Sequence, residues 1–196
     1  METNYLWPAT NHAYQNVWTL RHVGKWLMGV EIITSVDKIG KIAKAMNFMM
    51  GNEVYVGISD ETTTREKGEP VTNAELMFIH TNGSPINNIP ARPVIEPAIE
   101  DDKDRLASMM EGAFLSAEKG DTDGALKKLK LAGMRAQNVC RAWFTNPKNG
   151  WAPNSPRTAA RKRAKGSTDP KPLIDTGELR KSITYFIKRN TGGRTK

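Results

Sequence analysis

The stretch that decides the fold is Pro97–Trp143, PAIEDDKDRLASMMEGAFLSAEKGDTDGALKKLKLAGMRAQNVCRAW. Proline lacks an N–H and has a fixed φ, so Pro97 suits the first turn of a helix. That helix runs to about Lys119, with Ile99, Leu106, Met110, Ala113 and Ala117 as its apolar residues. Gly120 breaks it. A second helix follows through Leu126, Leu129, Ala136, Cys140 and Trp143, and Asn146-Pro147 closes it.

Upstream, Glu53–Ile58 alternates, with Val54, Val56 and Ile58 on one face and Glu53, Tyr55 and Gly57 on the other, the period of a half-buried strand. Before it, Val36, Ile39, Ile42, Ala43, Met46 and Met49 recur every three or four residues, which predicts a helix with a buried stripe. Ser35 and Asp37 suit its start, and Gly51-Asn52 a left-handed stop. Val30–Ile33 reads as a short strand. Residues 59–71 read as a mobile, charged loop, and Thr72–His80 as a short helix ending at Asn82-Gly83. Pro85, Pro90 and Pro93 keep the next segment out of helix until Pro97.

Downstream, Pro- and Arg-rich sequence runs to Pro172, followed by the turn Asp175-Thr176-Gly177 and a strand over Ser182–Lys188. In that strand Ile183, Tyr185 and Ile187 oppose Phe186, as in a strand covered on both sides. The expected fold is α+β: a small antiparallel or mixed sheet packed against long helices. An irregular N-terminal arm (1–24) carries Tyr5, Trp7, Tyr14 and Trp18 with no sustained period. A connector domain spans 25–190 and includes a basic Pro/Gly-rich loop at 148–172; a tail spans 191–196.

The chain has 196 residues and a net charge of +8. From Lys148 onward there are 13 Lys/Arg and 3 Asp/Glu, against 16 and 18 before it, so all of the excess is C-terminal. A block containing Arg157, Arg161, Lys162, Arg163, Lys165 and Lys171 can attract polyanions through counterion release, or it can be a solvated face. One cysteine excludes an intramolecular disulfide framework and a Cys-based zinc cluster, and a reducing compartment follows as the expectation. Trp26–Ile33 is interrupted by Gly29 and Glu31 and falls short of a bilayer span, and no signal peptide is expected.

Catalytic constellations are not expected. Pro172–Gly177 ends in Asp-Thr-Gly, the sequence that presents an aspartic-protease carboxylate, but 19 residues after Gly177 cannot build the rest of such a barrel. Asp175 therefore reads as a turn or helix-capping residue. His12, His22 and His80 do not make a metal pair, and Glu100, Asp101, Asp102 and Asp104 sit in a first helical turn where the dipole favours negative charge. Cys140 lies on an apolar stripe, where a thiol behaves as a small hydrophobe. No phosphate loop, nucleophile elbow or zinc-finger spacing is present, so no enzyme, cofactor or metal is expected.

Two stretches carry a resemblance. AELMFIHTNGS is followed by IPARPVIEPAIE across Ala74–Glu100, and GWAPNSPRTAARKR is followed by PLIDTGELRKSITY between Gly150 and Tyr185. In this order they resemble the bacteriophage virion morphogenesis and tail-completion family, head-tail joining proteins of the Mu-like type. Ile89, Pro90, Arg92 and Pro93 match the family's turn. Trp151, Pro153, Pro156 and Thr158 match its loop, and Asp175, Thr176, Gly177 and Leu179 its final turn. The N-terminal arm is longer, and the 162–171 connection more basic, than the pattern.

The resemblance implies a virion structural protein with no catalytic residue, forming a homo-oligomeric ring, hexameric, at the head-proximal end of the tail. Its implied partners are the terminator, adaptor or stopper rings. Its implied locations are the head-tail junction and, during assembly, the host cytoplasm. Trp7, Trp18 and Trp151 are the expected anchors, and Arg157, Arg161, Lys162, Arg163 and Lys165 the expected contacts to a partner or to passing DNA. A tail terminator ring protein, or a basic nucleic-acid-binding protein gripping phosphates through 157–171, are the alternatives. A hydrolase using Asp175 is a third.

Overall fold

The computed structural model describes residues 17–19, 36–59 and 71–189. The elements are β1 (Val17–Thr19), α1 (Val36–Met50), β2 (Asn52–Gly57), α2 (Asn73–Asn82), α3 (Ile95–Asp101), α4 (Lys103–Glu118), α5 (Thr122–Trp143), α6 (Pro156–Ala164), α7 (Glu178–Ser182) and β3 (Thr184–Arg189). The fold is α+β, with one antiparallel sheet in the order β1-β2-β3 packed on the long helices.

The α4–α5 hairpin is the frame. Asp121 accepts from the Gly124 N–H at 2.8 Å and caps α5, with its carboxylate in the space a Cβ on Gly124 would take, 1.9 Å away. Ala125, Leu129, Ala132, Gly133, Ala136, Cys140 and Trp143 form the buried stripe of α5 at helical spacing. The helices run antiparallel: near the turn Lys128 donates to Gly112 O and Ser116 Oγ, and at the far end Arg135 forks onto Asp102 through Nε and Nη2, both at 2.5 Å. Asp102 is also where the single helix expected over Pro97–Lys119 divides into α3 and α4.

Register places Val54 opposite Ile187 and Val56 opposite Tyr185, and this face of the sheet packs on α5. Gly133 permits the close approach: a Cβ there would lie 2.3 Å from the Tyr185 ring. Gln137 accepts from the Tyr185 N–H, and Arg141 donates to the carbonyls of Ile183 and Lys181, so α5 also satisfies the backbone leading into β3. On the opposite face Tyr55 and Phe186 stack at 5.2 Å. Residues Tyr185–Ile187 are half-buried on both faces, in keeping with apolar residues on both sides of the strand.

Several sequence expectations need correction. The apolar stripe expected on α1 is only partly buried: Met49 packs against the core and Ile42 is half-buried, whereas Ile39 is 55% and Met46 51% exposed, as is neighbouring Met50 at 60%, and Ala45 and Phe48 pack against Phe114, Ala117 and Ala125. The periodicity gave the helix but not the side it buries. Gly51 is not among the left-handed glycines; instead Asn52 Nδ2 donates to Phe48 O and closes α1. The segment 148–172 is not a loop throughout, because Ser155 caps α6 with Pro156 in its first turn. A further helix, α7, separates the Asp175–Gly177 turn from β3. Within the N-terminal arm expected to be irregular, Val17–Thr19 pairs antiparallel with Gly57–Tyr55. Ser35, the Val30–Ile33 strand and residues 60–70 of the expected mobile loop lie outside the described residues.

The contrast between two glycines gives a test. Gly133→Val forces the Tyr185 ring to move and is expected to destabilise the fold by about 1–3 kcal/mol. Gly40→Ala, in open space on α1, is expected to stabilise by about 0.5–1 kcal/mol. Urea unfolding of both variants beside the parent checks the signs.

Candidate functional site

Gly83 ends α2 at φ 73°, and a Cβ there would lie 2.8 Å from Ala91 N and 2.9 Å from Ile89 O, so the chain can turn back only over a glycine. Ser84 and Ile89 then exchange both backbone hydrogen bonds, closing a small loop with Ile86 at its exposed tip. The Arg92 N–H returns to His80 O at 2.5 Å. Pro90 is exposed and Pro93 half-buried. Between them Arg92 is only 6% exposed.

A guanidinium is costly to bury without acceptors. Arg92 finds them sixty residues away: Nε and Nη2 donate to Ala152 O at 3.2 and 3.1 Å, and Nη2 donates to Pro153 O at 3.2 Å. The return connection comes from Trp151, whose indole Nε1 donates to Pro93 O at 3.0 Å while its ring meets Phe144 edge-on at 5.8 Å. The Ile-Pro-x-Arg-Pro turn and the Trp-x-Pro loop, separate in sequence, are one joint in space. Trp151, expected as an exposed anchor, is a half-buried part of that joint.

The loop continues into a second internal cation. Lys162 is 6% exposed, and its Nζ donates to Lys171 O at 2.7 Å and Ile174 O at 2.6 Å. Burial pushes its pKa down; Asp175 opposes that shift, while Arg161 and Arg92 add to it. Nearby, Asn154 Nδ2 donates to Pro170 O. Leu173, between the carbonyls that Lys162 holds, has φ 58°, a left-handed conformation costing a branched residue on the order of 1 kcal/mol. The ammonium group fixes the loop on both sides of that strained residue. Lys162 is therefore a structural cation, and its expected role as an outward contact is corrected.

The remaining expected contacts divide cleanly. Arg157, Arg161 and Arg163 are exposed on α6, and Lys165 beyond it pairs with Asp175 at 3.3 Å, an exposed pair of small energetic weight. Asp175 thus meets a lysine; the α7 approach is made by Gly177 at φ 83° and by Thr176 Oγ1, which accepts from Glu178 N. Trp18 lies in β1, and Trp7 lies outside the described residues. Cys140 is fully buried and its thiol is pushed up to about 12 by burial, the condition of an inert thiol. No group of three His, Cys, Asp or Glu residues among those described could hold a metal ion, and no described helix is long and apolar enough to cross a membrane.

Sequence reasoning identified Arg92 only as part of a turn and missed its acceptors, because carbonyls carry no residue-type signal. The Ser155-Pro156 pair was the readable sign of α6. His80, which the sequence leaves as a packed or interfacial residue, has its Nδ1 buried without a partner. Its pKa is lowered first by burial and then by the Arg92 charge.

Replacing Arg92 by Met leaves the Ala152 and Pro153 carbonyls without their donor, and a loss of about 1.5–3 kcal/mol in urea unfolding is expected. For His80 the folded pKa lies below the unfolded value, so the unfolded chain takes up the proton first. Stability is then unaffected above about pH 6.5 and falls as the pH drops below it. A His80→Gln variant should show a shallower loss between pH 7 and 5.5 than the parent, and equal slopes would remove His80 from the acid response.

Compared with known proteins, the chain matches no family model, no curated protein and no solved structure.

Proposed function

We propose that this chain is a structural protein of a tailed bacteriophage virion that completes the tail and joins it to the head as a homo-oligomeric, hexameric ring. Its work on this reading is adhesion rather than turnover. Its partners are neck and tail rings, its place is the head-tail junction, and it assembles in the host cytoplasm. A joining ring needs a rigid body with adhesive surfaces, because symmetry multiplies modest contacts into a durable junction. The rigid body is supported by the Arg92–Trp151 joint, which unites the two stretches that resemble the tail-completion family.

The observation that carries the reading is the outward apolar stripe of α1. Ile39, Ala43, Met46 and Met50 are exposed along one helix, a row that the described residues leave in water at a hydrophobic cost. Burial between neighbouring copies removes that cost and leaves the other surfaces for the rings above and below.

Native mass measurement of the purified chain should give a species of about six copies of 21.8 kDa, and Met46→Glu should convert it to monomer with its helical content retained. Phage carrying a nonsense codon in this gene should accumulate filled heads and unjoined tails. Intact infectious particles lacking the chain would falsify the joining role.

A further inference from the structure

We propose that the outward face of α6 binds the phosphate backbone of double-stranded DNA through Arg157, Arg161 and Arg163. This goes beyond the joining role and stands on the charge arrangement of one helix. Lys162 is anchored internally by Lys171 O and Ile174 O, and this fixes the rotation of α6 about its axis. Arg157, Ala160, Arg161 and Ala164 then share the exposed face at i, i+3, i+4 and i+7, while Arg163, two positions from Arg161, is exposed on the flank beyond Ala160. The two alanines keep the helix surface low beside Arg157 and Arg161, so a broad polyanion can approach these two directly and meet Arg163 at the flank.

The placement of these charges works against the folded chain. Arg157 lies in the first turn, where the helix dipole disfavours a cation, and it stands four residues from Arg161, a like charge on the same face. None of the three arginines has a carboxylate partner among the described residues, whereas neighbouring Lys165 has Asp175. An external anion relieves both unfavourable terms.

Three features select duplex DNA. Guanidinium groups present forked donors that match phosphate oxygens. The face formed by Arg157, Ala160, Arg161 and Ala164 contains no apolar side chain larger than alanine, so it lacks the anchors of a protein interface. It also carries no aromatic ring, which a single-strand site uses to stack bases. Contacts of this kind hold the backbone without reading base sequence.

The test is fluorescence anisotropy of the full chain on a labelled random-sequence duplex, titrated with salt. Single-stranded DNA and polyglutamate serve as competing ligands. The R157Q/R161Q/R163Q variant should lose affinity by about tenfold or more at low salt, with the slope of log affinity against log salt falling by about three. A second variant, K38Q/K127Q/K130Q, removes the same charge from exposed lysines on α1 and α5 and should retain binding. Equal losses in the two variants would overturn the proposal, as would polyglutamate or single-stranded DNA competing better than duplex. Circular dichroism of both variants confirms that the helices persist. Ring mass is read separately, so failure of the unmutated chain to bind the duplex while its ring is retained overturns this inference alone.

Discussion

The guanidinium of Arg92 stands where the structure would otherwise come apart into a helical frame and a long basic appendage. A buried cation must be given acceptors, and here they are the carbonyls of Ala152 and Pro153. That single requirement draws the segment after α5 back over the turn between α2 and α3. Trp151 completes the attachment with the Pro93 carbonyl and the Phe144 ring. Because the bonds run in both directions across the joint, neither strand of it can shift without leaving a polar group unpaired.

Lys162 repeats the device one layer out. Its ammonium group gathers the carbonyls of Lys171 and Ile174 and holds Leu173 in a backbone conformation that a branched residue otherwise avoids. Two internal cations therefore organise a region whose composition suggests a free, solvated run. What remains outside is a smaller and better-defined positive surface, three arginines on α6, held at a fixed orientation by the lysine behind them. Electrostatic attraction at such a surface costs little ordering on binding, since the helix is already formed.

On the proposed reading, the exposed stripe of α1 and the arginine face of α6 divide the labour of a connector. One offers apolar area that a second copy can cover, and its adhesion is insensitive to salt. The other offers charge, whose reach is set by ionic strength. The sheet lies close on α5 because that helix is lined with small residues there, chiefly Gly133 beneath Tyr185 and the alanines of its buried stripe.

Much of the framework was legible in the amino-acid order itself. The α4–α5 hairpin follows from two apolar repeats broken at Gly120, β2 from the alternation of Val54, Val56 and Ile58, and α2 from the apolar residues of Thr72–His80 and the Asn82-Gly83 stop, because these patterns are local consequences of helical and pleated geometry. The inertness of Cys140 was equally readable from its place on the α5 stripe. Tertiary structure alone decided which side of α1 is buried, since a periodic stripe says that a face is apolar and not what lies against it. It alone turned Trp151 and Lys162 from surface contacts into internal ones, because their partners are backbone carbonyls, present at every residue and marked by none.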